Sequence, residues 1–283
     1  MTLALFKTKF QTRVGFGLAY YTKPYNQITN PDNLVFGNRL AAQFMWNITK
    51  SVNVYSNKTL TYGFSFLHSS NGHTNVPNVG SNIAAFNLGL AWISKKQLNK
   101  VPIKKESFDG DYSKKIRLNL MGTLGFHEVE GTTEPTDGPK YKVWGASLFA
   151  SKNYNYVNAL EFGISINYYA DYYNYIIAQE IFYENEIQKS FEAMLFAGHE
   201  FQFEKLAFYT QLGIKIYTPF KKALNEQSIL NYNLISLYNT NLVGFNYYFV
   251  KPRKKHFLPF ITIFLKTIGG KADYVGSGVG IRI

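Results

Sequence analysis

Apolar and polar residues alternate with a period of two along most of this 283-residue chain. In 116–126, Ile116, Leu118, Leu120, Leu124 and Phe126 share one face, and Arg117, Asn119 and Thr123 share the other. In 160–168, Leu160, Phe162, Ile164, Ile166 and Tyr168 oppose Glu161, Ser165 and Asn167. The same pattern holds for 206–216 and 242–249. Successive side chains of a strand point to opposite faces, so each stretch reads as a strand with one apolar side. The pattern predicts strands near 12–22, 35–48, 59–69, 82–94, 115–127, 141–151, 156–168, 190–203, 205–217, 240–250, 256–267 and 273–283. Each is about ten residues, the length of a tilted strand that crosses a bilayer.

The connections alternate between short turns, such as 151–155 and 204–205, and longer polar stretches, such as 22–34 and 95–114. Two segments, 170–189 and 221–238, break the alternation and read as short helices or long loops. No internal repeat, low-complexity tract or domain boundary stands out. The expected architecture is all-β: one antiparallel transmembrane β-barrel over 1–283, of about 12 strands, with 8 to 14 as alternatives. A soluble sandwich or lipocalin-like barrel would alternate in the same way, with its apolar face inward. Strand length, the aromatic load and small or polar residues opposite the apolar face favour the membrane.

Composition agrees. The chain holds 22 Tyr, 24 Phe and 3 Trp, and charged residues are only 17% of the total, below the roughly 25% of soluble domains. Mean hydropathy is −0.17, because Tyr, Asn, Thr and Ser offset the apolar residues. There is no cysteine, so disulfide and thiolate chemistry are excluded. No apolar run is long enough for a transmembrane helix. The run in "MTLALFKTKFQTR" is too short for a signal-peptide core, so an export signal is expected outside this chain. The net charge of +12 suits an anionic partner, with basic clusters "ISKKQLNK" and "VKPRKKH" placed at loops of a membrane surface. No zinc-ligand spacing, helix-turn-helix or RNA-recognition signature accompanies that charge, so nucleic acid is not expected as a partner. Neither a cofactor motif nor a metal constellation is present.

Candidate chemistry sits in "FSFLHSSNGHTNVPNVGSN", residues 64–82. Leu60, Tyr62, Phe64, Phe66, His68 and Ser70 share one strand face, and Asn82, Ala84, Phe86, Leu88, Leu90 and Trp92 share the matching face of the next. A histidine and a serine two apart on a strand can approach hydrogen-bond distance, the first requirement for a base-activated nucleophile. Asn82 falls at the mouth of the adjacent strand, where its oxygen could orient the imidazole as in Cys-His-Asn sites. Asn71, with the backbone N–H groups of Gly72 and His73, could stabilise an oxyanion. The plain alternative is a polar cap on a hairpin. His199 and Glu200 are neighbours and so point to opposite faces, while Glu161, Arg117 and Lys215 lie on polar faces and suit a lumen network.

His68-Ser69-Ser70-Asn71-Gly72, followed by Pro77-Asn78 and Gly80 and then an apolar strand, resembles the lipid A 3-O-deacylase (PagL-type), or acyloxyacyl hydrolase, family of outer-membrane enzymes. Segments 17–33, 197–217 and 264–283 are similar to longer members. The resemblance implies a bacterial outer-membrane barrel with a lipid-exposed site that hydrolyses the ester-linked acyl chain at the 3-position of lipid A in lipopolysaccharide. It implies Ser70 as nucleophile, His68 as base, and Asn71 with nearby backbone as the oxyanion hole. The best-known members of that family place a glutamate fourteen residues after the histidine, where this chain has Asn82. With that chemistry the acyl chain lies along Phe64, Phe66, Phe86 and Leu88, membrane lipids surround the barrel, and basic loops hold the lipid A phosphates. The rival readings are a non-enzymatic outer-membrane barrel, as a channel or structural protein, and a soluble lipid-binding barrel.

Overall fold

The computed structural model describes residues 2–5, 10–55, 57–72, 74–92, 115–127, 139–227, 237–250, 257–269 and 271–283. All twelve expected strands form, and a four-residue strand precedes them. In chain order they are β1 (Thr2–Leu5), β2 (Phe10–Tyr20), β3 (Leu40–Tyr55), β4 (Lys58–Ser70), β5 (Ser81–Trp92), β6 (Ile116–His127), β7 (Tyr141–Asn153), β8 (Asn158–Tyr169), β9 (Phe191–Phe203), β10 (Leu206–Tyr217), β11 (Asn239–Tyr248), β12 (Leu258–Ile268) and β13 (Lys271–Arg282). Among the described residues three helices interrupt them: α1 (Ala170–Gln179), α2 (Glu186–Lys189) and α3 (Pro219–Glu226). They fall in the two segments where the alternation fails. The expected loop at 95–114, most of the "ISKKQLNK" and "VKPRKKH" clusters, and His73 lie outside the described residues.

The expectation of about 12 strands in one barrel is corrected. Strands β6 to β13 close into an eight-stranded antiparallel barrel, β13 pairing back onto β6, while β1 to β5 form a separate five-stranded antiparallel meander. Contacts accordingly group the chain into two compact units. Alternation sets which face of a strand is apolar, but every strand edge presents the same N–H and C=O groups. Which edges meet is therefore absent from the pattern.

The barrel is inverted relative to a soluble protein. Leu120, Phe162, Leu212, Ile214 and Ile263 face outward and are exposed, whereas Arg282, Glu200, Glu161, Lys266 and Lys215 are buried inside. Exposing leucines and burying charge is unfavourable in water and natural in hydrocarbon, where the closed barrel also satisfies its backbone groups.

Two ionic layers fill the interior. In one, Arg282 donates from Nε to Asn119 Oδ1 at 2.6 Å, and from Nη1 and Nη2 to the two oxygens of Glu200 at 2.9 and 3.1 Å. Tyr248 donates to the same Glu200 at 2.7 Å, and Gln211 to Glu161 at 3.0 Å. In the other, Lys215, Lys221 and Lys266 surround Glu192 at 3.4–3.5 Å. His127 lies between Asp171 and Asp273. Asp171 and Lys221 come from α1 and α3, whose Tyr172 and Phe220 stack at 4.2 Å. Between the layers a void of about 10 Å³ is left, lined in part by Met121, Ser165, Phe264 and Tyr274. That is the space of about one water.

Candidate active site

The N-terminal meander carries the residues singled out from sequence. Its register is continuous: Phe16 faces Phe44, Phe44 faces His68, and His68 faces Asn82. One row further from the loop end, Val14, Trp46, Phe66 and Ala84 are aligned, and the next row is Thr12, Ile48, Phe64 and Phe86. This face is apolar and exposed, with Phe64 68% and Phe86 62% exposed. The opposite face carries polar rows that bond to one another, in which Ser65 Oγ accepts from Asn47 at 2.8 Å and from Asn87, and Gln43 donates to Ser69 at 3.2 Å, with the apolar row Met45, Leu67 and Ile83 between them.

His68 and Asn82 meet. The Nδ1 of His68 lies 2.8 Å from Asn82 Oδ1. An amide oxygen only accepts, so this contact places the proton on Nδ1 and leaves the Nε2 lone pair available. The cross-strand register produces the contact directly, since residues facing each other in an antiparallel pair hold their side chains about 5 Å apart.

Ser70 ends β4 and is buried. Its Oγ donates to Asn78 Oδ1 at 3.2 Å and accepts from Asn78 Nδ2 at 3.0 Å. The backbone N–H of Asn71 donates to the same Asn78 Oδ1 at 3.0 Å, and the Asn71 side chain donates to the Asn75 carbonyl at 2.6 Å. Asn78 thus ties the serine to the loop that follows it. It stands in the Pro77-Asn78 pair but drew no role from sequence, because an asparagine amid "NVPNVG" reads as turn chemistry. The sign that it does more is that it is buried.

The loop is anchored from a second side. Asn75 donates to the Gly37 carbonyl at 2.9 Å, and the N–H groups of Val79 and Gly80 donate to Leu34 and Val35. Gly80 has φ +73°, and a Cβ there would sit 3.0 Å from the Ser69 carbonyl and 3.7 Å from both His68 Cε1 and Ser70 Cβ. The imidazole and the serine therefore flank one point, which only a glycine leaves open. Gly72 also has a positive φ, +65°.

Phe64 and Phe86 pack edge to face at 5.4 Å directly across β4 and β5, Phe66 lies beside Ala84, and Leu88 faces Tyr62. At the far end of the sheet Lys58 lies over the rings of Tyr55 and Trp92, an arrangement that suits a membrane interface. Elsewhere, Glu200 is buried on Arg282, whereas His199 accepts or donates at 2.8 Å with the exposed Tyr154. Glu161 and Lys215 enter the interior ionic layers, and Arg117 is buried on the same side. Among the described residues no cluster of His, Asp or Glu is placed to hold a metal ion.

Comparison with curated proteins returns no match. Among solved structures, the toluene transporter TbuX of Ralstonia pickettii aligns at 9% identity and a TM-score of 0.24, over 96% of this chain and 77% of that one. A mutant porin of Rh. blastica aligns at 8% identity and 0.21, over 96% and 99%. Scores this low define nothing about the fold. Family models are decisive: Lipid A 3-O-deacylase (PagL) matches residues 1–91, and the acyloxyacyl hydrolase C-terminal domain matches residues 114–283. The first spans the meander and its His68 site, the second spans the closed barrel, and the chain belongs to the lipid A 3-O-deacylase and acyloxyacyl hydrolase family.

Proposed function

We propose that the chain is an outer-membrane serine esterase that removes the ester-linked acyl chain at the 3-position of lipid A. The observation that carries this reading is the His68–Asn82 hydrogen bond beside Ser70, on an outward apolar face. Ser70 Oγ attacks the ester carbonyl and gives its proton to His68 Nε2, while Asn82 holds the ring by Nδ1. The tetrahedral oxyanion collapses with loss of the sugar alkoxide, which takes the proton back from His68. Water then enters, His68 accepts its proton, and the acyl-serine is cleaved to a free fatty acid as His68 returns that proton to Ser70 Oγ. The donors nearest Ser70 are the Asn71 N–H, held by Asn78 Oδ1, and Asn78 Nδ2, which donates to Ser70 Oγ itself. With Asn71 and the Gly72 and His73 backbone they are the candidates for the oxyanion hole.

Position supports the substrate. The site lies at the end of the meander with the long connections 21–39 and 71–80, opposite the short turn between Tyr55 and Lys58. In outer-membrane barrels the long loops face outward. Ester bonds of lipid A lie where hydrocarbon meets headgroup, and its acyl chain would lie on the apolar face that begins at Phe66. The packed ionic interior of the barrel gives a channel little support, and its exposed leucines argue against a soluble lipid carrier.

The test is mass spectrometry of lipid A incubated with the purified protein in detergent, wild type against Ser70→Ala. Loss of one hydroxyacyl chain with wild type alone is the expected result. An unchanged spectrum with a folded wild-type protein would discard the esterase reading.

A further inference from the structure

On the exposed apolar face of the meander the positions below the site on β3 and β4 carry large side chains. Phe44 and Trp46 fill the β3 column, and Phe66 and Phe64 fill the β4 column. The β5 column differs. Beneath Asn82 comes Ala84, exposed and without a side chain beyond its methyl, and only then Phe86. Rows two residues apart are separated by about 7 Å. The face therefore has a notch immediately next to the His68–Asn82 pair, walled by Phe66. The edge-to-face pair of Phe64 and Phe86 closes it.

We propose that Ala84 is the entry of the acyl chain and that the Phe64–Phe86 pair is its stop, so that these three side chains select the length of the acyl group. This rests on the esterase reading above. Of the β4 column and its two neighbours, β3 and β5, one is not occupied by an aromatic ring in the first row, and it runs over Ala84. A chain that ends before Phe86 lies in the notch and buries its methylenes against Phe66. A longer one must displace the ring pair or leave the sheet. Selection by a pocket of this kind is worth about tenfold or more per misplaced methylene.

The experiment uses p-nitrophenyl butyrate, laurate and palmitate in detergent with the full chain, and reads kcat/KM for each ester. Ala84→Phe fills the notch and is expected to lower the laurate-to-butyrate ratio about tenfold or more. Phe86→Ala removes the stop and is expected to raise the palmitate-to-laurate ratio. The two variants change bulk in opposite directions, so a folding defect in one leaves the other informative. Wild-type ratios in both variants, with hydrolysis still lost in Ser70→Ala, would overturn the selection and leave the esterase standing. No Ser70-dependent hydrolysis of any ester would overturn both.

Discussion

At the scale of single residues, the proposed chemistry turns on Asn82. It hydrogen-bonds His68 at Nδ1, but in the proposed mechanism a neutral amide cannot offset the charge of the imidazolium that would form when Ser70 gives up its proton. In serine proteases an asparagine in place of the acid costs about 10⁴ in kcat. Asn82→Glu is therefore expected to raise kcat on p-nitrophenyl butyrate by roughly tenfold or more, and an unchanged rate would mean that the contact serves structure alone. Gly80 gives a second prediction. Its φ of +73° disfavours any side chain, and a Cβ would press on the Ser69 carbonyl beside His68 and Ser70. Gly80→Ala is expected to lower kcat about 100-fold, while stability falls by only about 1–2 kcal/mol, the cost of a left-handed residue; steady-state kinetics and urea unfolding separate the two. The meeting of His68 with Asn82 was legible in sequence, because parity along β4 and β5 places them on one face. Asn78 was not, because its partners Ser70 and Asn71 meet it only when the loop folds back.

At the scale of elements, each strand is a two-sided object whose environment differs between faces. Leu120 lies mid-strand on β6 and is 58% exposed, while its neighbour Asn119 is fully buried and bonded to Arg282. Leu120→Arg is expected to destabilise the barrel by about 2–4 kcal/mol, the cost of an arginine near the bilayer midplane. Urea titration in lipid vesicles measures it. Strand positions were legible to within a few residues for eleven of the twelve segments, the exception being β3, expected at 35–48 and observed at Leu40–Tyr55, because a period of two sustained over ten residues is what a strand with one apolar face produces and a helix does not. The helices α1 and α3 were open between helix and loop. Their residues Asp171, Tyr172, Phe220 and Lys221 are held by the barrel interior, and no local pattern announces that.

At the scale of the molecule, the closed barrel is held by charge balanced inside an apolar shell. Arg282 is fully buried and bridges Glu200, Glu161 and Asn119. Arg282→Ala leaves two carboxylates facing each other without their cation, and breaking a buried pair in this way costs about 3–5 kcal/mol. A lowered temperature of heat-modifiable migration in electrophoresis is the expected readout. The helices and ionic layers that fill the lumen also predict that the purified protein shows no steady conductance in planar bilayers.

The sequence by itself determined the strand class, the apolar and polar faces of most strands and the placement of His68 and Asn82 on one face. Those follow from local geometry, in which each residue's direction depends only on its neighbours. Tertiary structure alone decided that eight strands close and five form a separate sheet, that Asn78 grips Ser70, and that lysines and carboxylates pair inside the barrel. Each of these joins groups far apart along the chain, such as Arg282 with Asn119. Backbone edges are chemically alike, and a charged residue on a polar face has many possible partners. The choice among them is made by chain closure and packing.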